Sequence, residues 1–149
     1  MRREGALRRL TVDGTVWLWN VRHRHPDCRT VLTLRRAEHR HALLRLVFRN
    51  APGRAVAGFP MGTGEVAAGG GWLNLNEPGV VRRFLEEALT RGLVPTTNGE
   101  TEEDGWPLFD TLTEADPSSA QLQRPVRPRT RAAAAVPAVD VRRTLRPSR

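Results

Sequence analysis

The chain has 149 residues, a net charge of +8, one cysteine and 39% hydrophobic residues. That is room for one domain with a tail, without an internal disulfide, and no apolar run approaches the ~18 residues of a membrane span. All 24 basic residues are arginine, and lysine, isoleucine and tyrosine are absent. The codons of those three residues are AT-rich, so arginine abundance here reflects a GC-rich genome as much as phosphate recognition.

Charge is segregated along the chain. Residues 1–55 hold 13 arginines against four acids, residues 56–112 three against nine, and residues 113–149 eight against three. A basic first half beside an acidic middle implies internal compensation or two patches of opposite sign. The N-terminus MRREGALRRL lacks the apolar core of a secretory signal, so a cytoplasmic location is expected.

The first half reads as a β meander. Leu10-Thr11-Val12 enters Asp13-Gly14, a two-residue hairpin signal, and Thr15 to Arg22 carries Val16, Trp17, Leu18, Trp19 and Val21. Trp17, Trp19 and Val21 share one face; Asn20 and Arg22 lie on the other, which favours burying the tryptophans. Cys28 to Arg35 alternates, with Cys28, Thr30, Leu32 and Leu34 opposite Arg29, Val31, Thr33 and Arg35. Leu44, Leu46 and Phe48 likewise alternate with Arg45, Val47 and Arg49, the period of a sheet with one wet face.

Residues 50–71 read as a long Gly-rich loop with a short edge strand around Ala55–Phe59, and Trp72 to Leu75 as a further strand. A helix is expected over 77–91, with Asn76 as N-cap, Pro78 in the first turn and Gly92 at C′. Its apolar stripe is Val81, Phe84, Leu85, Ala88 and Leu89. Pro95 to Gly105 reads as an acidic loop, and Trp106-Pro107-Leu108-Phe109 as a short docked strand. From Thr113 the composition turns to Pro, Ala, Arg and Ser, which cannot offset the entropy of ordering.

The expected architecture is therefore α+β: one domain over 1–112, with an antiparallel sheet of four to six strands packed against one amphipathic helix. Residues 113–149 are expected to be a disordered Arg/Pro/Ala-rich tail.

No catalytic motif is visible, so a non-enzymatic protein is expected, with no catalytic residue and no cofactor. Gly62-Thr63-Gly64-Glu65-Val66-Ala67 matches G-x-G-x-x-A, but the glycines that follow cannot start the helix a dinucleotide site needs. The acidic run Glu100 to Asp104 lacks the pattern of a calcium loop. His23-x-His25 and His39-x-His41 flank a strand and stand about 25 Å apart by strand rise. The first pair with Cys28 makes only half a site, and no metal is expected.

The leading expectation is a small interaction module that binds another protein. The alternative is non-specific nucleic-acid binding, through Arg29, Arg35, Arg45 and Arg49 on the sheet and Arg127, Arg129 and Arg131 in the tail. A third is a small enzyme whose Gly-rich loop lines a pocket. No membrane association is expected, and the sequence sets no oligomeric state.

The stretch Val12-Asp13-Gly14-Thr15-Val16-Trp17-Leu18-Trp19-Asn20-Val21, the later helix and Gly105-Trp106-Pro107-Leu108-Phe109 together resemble a loose group of short proteins of high-GC bacteria. These combine a β meander with one helix and have no known function. The likeness covers roughly residues 10–110. It implies an α+β fold and carries over no catalytic or binding residue.

Overall fold

The computed structural model describes residues 6–56 and 64–115. Four strands follow one another as expected: β1 (Arg8–Val12), β2 (Thr15–Arg24), β3 (Arg29–Arg36) and β4 (Ala42–Arg49). They pair antiparallel in chain order. Asp13 and Gly14, at φ 48° and 77°, join β1 to β2 with the two positive φ angles of a type I′ turn.

The fifth strand of this sheet is β8 (Gly99–Asp104), formed by the stretch expected to be an acidic loop. It lies parallel to β4, from Ala42 opposite Gly99 to Val47 opposite Asp104. The sheet is thus mixed rather than antiparallel. A parallel neighbour needs a long crossover, and here that crossover contains most of the remaining fold. It begins with a second sheet of three short strands, β5 (Arg54–Val56), β6 (Glu65–Ala68) and β7 (Gly71–Asn74), all antiparallel. The segment expected to be a long loop with one edge strand therefore holds two strands before the expected strand at Trp72. Residues 57–63 lie outside the described residues.

Helix α1 (Pro78–Thr90) matches the expected helix, with its start corrected. The N-cap is Glu77, without a side-chain cap bond, and not Asn76. Asn74 shapes the entry instead, its Oδ1 accepting the Asn76 N–H at 2.9 Å. At the other end the Gly92 N–H donates to the Leu89 carbonyl and the Leu93 N–H to the Ala88 carbonyl, a Schellman stop closed by Gly92 at φ 68°. Val80, Val81, Phe84, Leu85 and Ala88 are buried, whereas Leu89, expected on the stripe, is exposed.

The expected terminal strand is a second helix, α2 (Trp106–Glu114), so the packing uses two helices and not one. Asp104 Oδ1 accepts the Trp106 N–H at 3.1 Å and Pro107 occupies the first turn, which starts the helix. The Trp106 indole N–H reaches the Arg49 carbonyl at 3.0 Å and pins the helix to the end of β4. Helical chain continues to Glu114, past the expected boundary at 112; from residue 116 the expected tail lies outside the described residues.

One core joins these layers. The inner face of the five-stranded sheet contributes Trp17, Trp19, Leu32, Leu34, Leu44, Leu46 and Phe48; the crossover covers it with Val66, Leu75, Phe84 and Leu85, and α2 adds Phe109. Phe48 is its hub, edge-on to Phe84 at 5.6 Å and to Trp106 at 5.3 Å, the arrangement aromatic quadrupoles favour. Both tryptophans of β2 are buried as their parity suggested. No described helix is long and apolar enough to cross a membrane.

Candidate functional site

With one sheet face committed to the core, the other is left open. Strand parity puts Leu18, Asn20, Arg22 and Arg24 of β2 on this face. Arg29, Val31, Thr33 and Arg35 of β3 and Leu43 and Arg45 of β4 lie beside them. These residues, with Leu7 and Glu102 at the margins, line a concavity of about 290 Å³. Sheet twist makes such a surface saddle-shaped, and the long arginine stems raise its walls.

The floor is partly apolar. Val31 and Val47 point to this face yet are buried, at 8% and 1% exposure, so the face is drier than the expected wet surface. Arginine stems lying over the strands account for this. Arg29 Nε and Arg35 Nε have no accessible surface and no hydrogen-bond partner, and Asn20 Oδ1 between them is in the same state. A buried polar atom without a partner costs about 1–3 kcal/mol, and here three of them belong to residues that line one hollow.

The structure sorts the four sheet arginines expected to contact nucleic acid. Arg29, Arg35 and Arg45 line the concavity; Arg49 does not. Arg45 donates to Glu100 at 3.1 Å and Arg49 to Glu102 at 3.4 Å, both across to β8. A third pair, Arg54 with Asp110, is two-pronged at 3.0 and 2.8 Å, with the Arg54 guanidinium 5.0 Å from the Trp106 ring centre. Its hydrogen bonds to Asp110 hold the Arg54 pKa above the ordinary arginine value. Internal compensation between the basic first half and the acidic middle is therefore real at these three points. Arg22 and Arg24 complete the basic lining, and sequence reasoning did not single them out although strand parity placed Arg22 correctly. Arg127, Arg129 and Arg131 lie outside the described residues.

A second group of reactive side chains gathers where β2 meets β3, around the inner-face pair His23–Thr30. One ligand atom each from His23, His25 and Cys28 lies within 4.8 Å of the others. Cys28 Sγ is 3.7 Å from His25 Nδ1, and the two imidazoles meet edge-to-face at 4.6 Å. His23 sits on β2 and not in the turn, because the strand runs two residues further than its pattern suggested. Cys28 lies in the turn at φ 45° and not on β3. Burial, then the neighbouring His25, lower the His23 pKa below the usual 6.5. His39 and His41, both exposed, take no part.

The molecule so defined is a mixed α+β protein with an arginine-lined open sheet face and a His/His/Cys hairpin end. The chain matches no family model, no curated protein and no solved structure.

Proposed function

We propose that this protein is a non-enzymatic binding module that seats an acidic, partly apolar segment of a protein partner across the open face of its five-stranded sheet. The observation that carries this reading is the concavity, with five arginines and one glutamate around a floor of Leu18, Val31 and Leu43.

Magnitudes favour a mixed occupant over a purely anionic one. An exposed ion pair is worth at most about 1 kcal/mol, so pairs to Arg24, Arg29 and Arg35 supply roughly 3 kcal/mol, weaker than millimolar binding. Useful affinity then needs apolar burial on the floor, at about 25 cal/mol per Å². A peptide alternating carboxylates with Leu-like side chains meets both demands. Single-stranded nucleic acid fits less well, since stacking on aromatic residues normally anchors it, and none lines this face. The arginines and the apolar floor of this lining support recognition. None of the described Gly-rich residues contributes to it.

The test is peptide display selection on the full chain, repeated on the double variant Arg29→Glu/Arg35→Glu. The expected result is enrichment of Asp/Glu-rich sequences interspersed with Leu, Val or Met, lost on the double variant. No enrichment, or enrichment indifferent to the charge reversal, overturns the reading. Anisotropy with random single-stranded DNA and RNA from 50 to 200 mM salt, a range set by counterion release, separates the alternative. Steeply salt-dependent binding that the double variant loses would move the assignment to nucleic acid.

A further inference from the structure

The end of the β2–β3 hairpin holds a donor set that the open face does not use. We propose that His23, His25 and Cys28 form a zinc site, two imidazoles and one thiolate with solvent in the fourth position.

Spacing is the first support. In tetrahedral zinc sites Zn–N is about 2.05 Å and Zn–S about 2.3 Å, which sets an S···N edge of about 3.6 Å. The Cys28 Sγ to His25 Nδ1 distance is 3.7 Å, already that edge. The third donor lies within 4.8 Å of both.

The surroundings of His23 are the second support. Metal-bound histidines usually engage their other ring nitrogen in a hydrogen bond that fixes tautomer and orientation. His23 Nδ1 is 3.1 Å from the hydroxyl of Thr30, the fully buried polar residue that faces it across the ladder. That contact leaves Nε2 as the coordinating atom, and Nε2 is buried with no partner. A hard-oxygen ion such as calcium or magnesium has no business with N and S donors, which suit zinc.

The site differs from the open face in location as well as chemistry. His23 belongs to the inner-face set of β2, alternate to Arg22 and Arg24. The metal would clip the hairpin whose open side carries Arg24 opposite Arg29.

The experiment titrates the full, reduced chain with Co(II) as a coloured stand-in and then with Zn(II). All four histidines and the one cysteine of the chain lie between His23 and His41, so four variants decide the matter: Cys28→Ser, His23→Ala, His25→Ala and the control His39→Ala/His41→Ala. One equivalent of Co(II) should give a thiolate charge-transfer band and the visible absorption of tetrahedral cobalt, both erased by Zn(II). C28S should lose the charge-transfer band, and H23A and H25A should each weaken binding at least tenfold. The control should bind as the unaltered chain does, and far-UV circular dichroism should show all four folded. Absence of the band in the unaltered chain, a band that survives C28S, or loss of binding in the control overturns the site. Binding of Cu(I) without Zn(II) or Co(II) overturns the zinc assignment.

Discussion

Adding one methyl group at Gly105 tests the core more sharply than removing a large side chain. A Cβ at this position would stand 2.3, 2.5 and 2.6 Å from Cζ, Cε1 and Cε2 of Phe48. Carbon atoms at ease sit about 3.5–4.0 Å apart, so three contacts overlap by around 1 Å or more. The ring has nowhere to go, because Phe48 is fully buried and wedged edge-on against Phe84 and Trp106. The backbone itself would accept alanine, since Gly105 has φ −77° and ψ −18°. On backbone grounds alone Gly→Ala would stabilise by about 0.4–1 kcal/mol through the unfolded chain. Overpacking costs about 1–3 kcal/mol, and simultaneous contact with three atoms of an immobile ring belongs at the top of that range. The net expectation for G105A is a loss of roughly 2 kcal/mol, or about 8–10 °C in Tm for a domain of this size. Urea denaturation followed by tryptophan fluorescence measures it. The cycle with F48L gives the cause: trimming the ring should return at least about 1 kcal/mol as coupling. G105A as stable as the unaltered protein, or a cycle without coupling, refutes the claim that Gly105 is held small by Phe48.

Phe84→Ala should cost about 3–5 kcal/mol in the same assay, as for other fully buried aromatics; a loss below about 1 kcal/mol would refute the docking of α1 on the sheet. Asp110→Asn breaks the two-pronged contact with Arg54 beside Trp106. It should lower Tm in dilute buffer and lower it less in 1 M salt, and an unchanged Tm at low salt would make the pair dispensable. In chelator-treated protein His23 imposes a pH dependence. Its folded pKa lies below the ordinary 6.5, so the unfolded chain binds the proton more readily. The stability it contributes is complete above pH 6.5 and declines as pH falls below it. His23→Gln should flatten that part of the profile, and an identical profile in the variant would refute the assignment.

The parts of the fold readable from sequence are those set by local rules. Asp13-Gly14 dictates its turn through φ, the alternation of β3 and β4 through burial, and α1 through a 3.6-residue stripe ending at Gly92. The failures have equally physical causes. Gly99 to Asp104 carries four acids in six residues and no alternating apolar set, because β8 is an edge strand whose side chains answer arginines and not a core. Its strand conformation comes from the β4 ladder, a partner more than fifty residues away. The Trp106 cluster looked like a strand because Asp104, one residue outside Gly105, supplies the capping oxygen. Asp104 with Pro107 in the first turn was the signal that could have revealed α2. The sequence leaves His23, His25 and Cys28 as half a site because the second histidine pair is about 25 Å away by strand rise and no fourth ligand is evident. What the structure corrects is their placement, since β2 ends two residues later and β3 starts one residue later than the pattern suggests. Boundaries of that size are the least certain product of pattern reading.

The placement of β8 also decides where the positive charge of the open face is available. Along β4, Arg45 and Arg49 are drawn sideways to Glu100 and Glu102, so the half of the face nearest β8 is close to neutral. Across β2 and β3 no acidic strand is present, and Arg24 stands directly opposite Arg29 in the ladder. Like charges opposite one another weaken a sheet, and Asp27 offers Arg29 only a loose contact at 4.0 Å. Holding those two cations together costs stability that packing elsewhere must offset. A carboxylate delivered to this end would relieve the repulsion. One delivered near Arg45 would first have to displace Glu100. The field of the face therefore has a direction, from the neutralised β8 edge to the β2–β3 end, and an acidic segment entering it is oriented before any side chain packs.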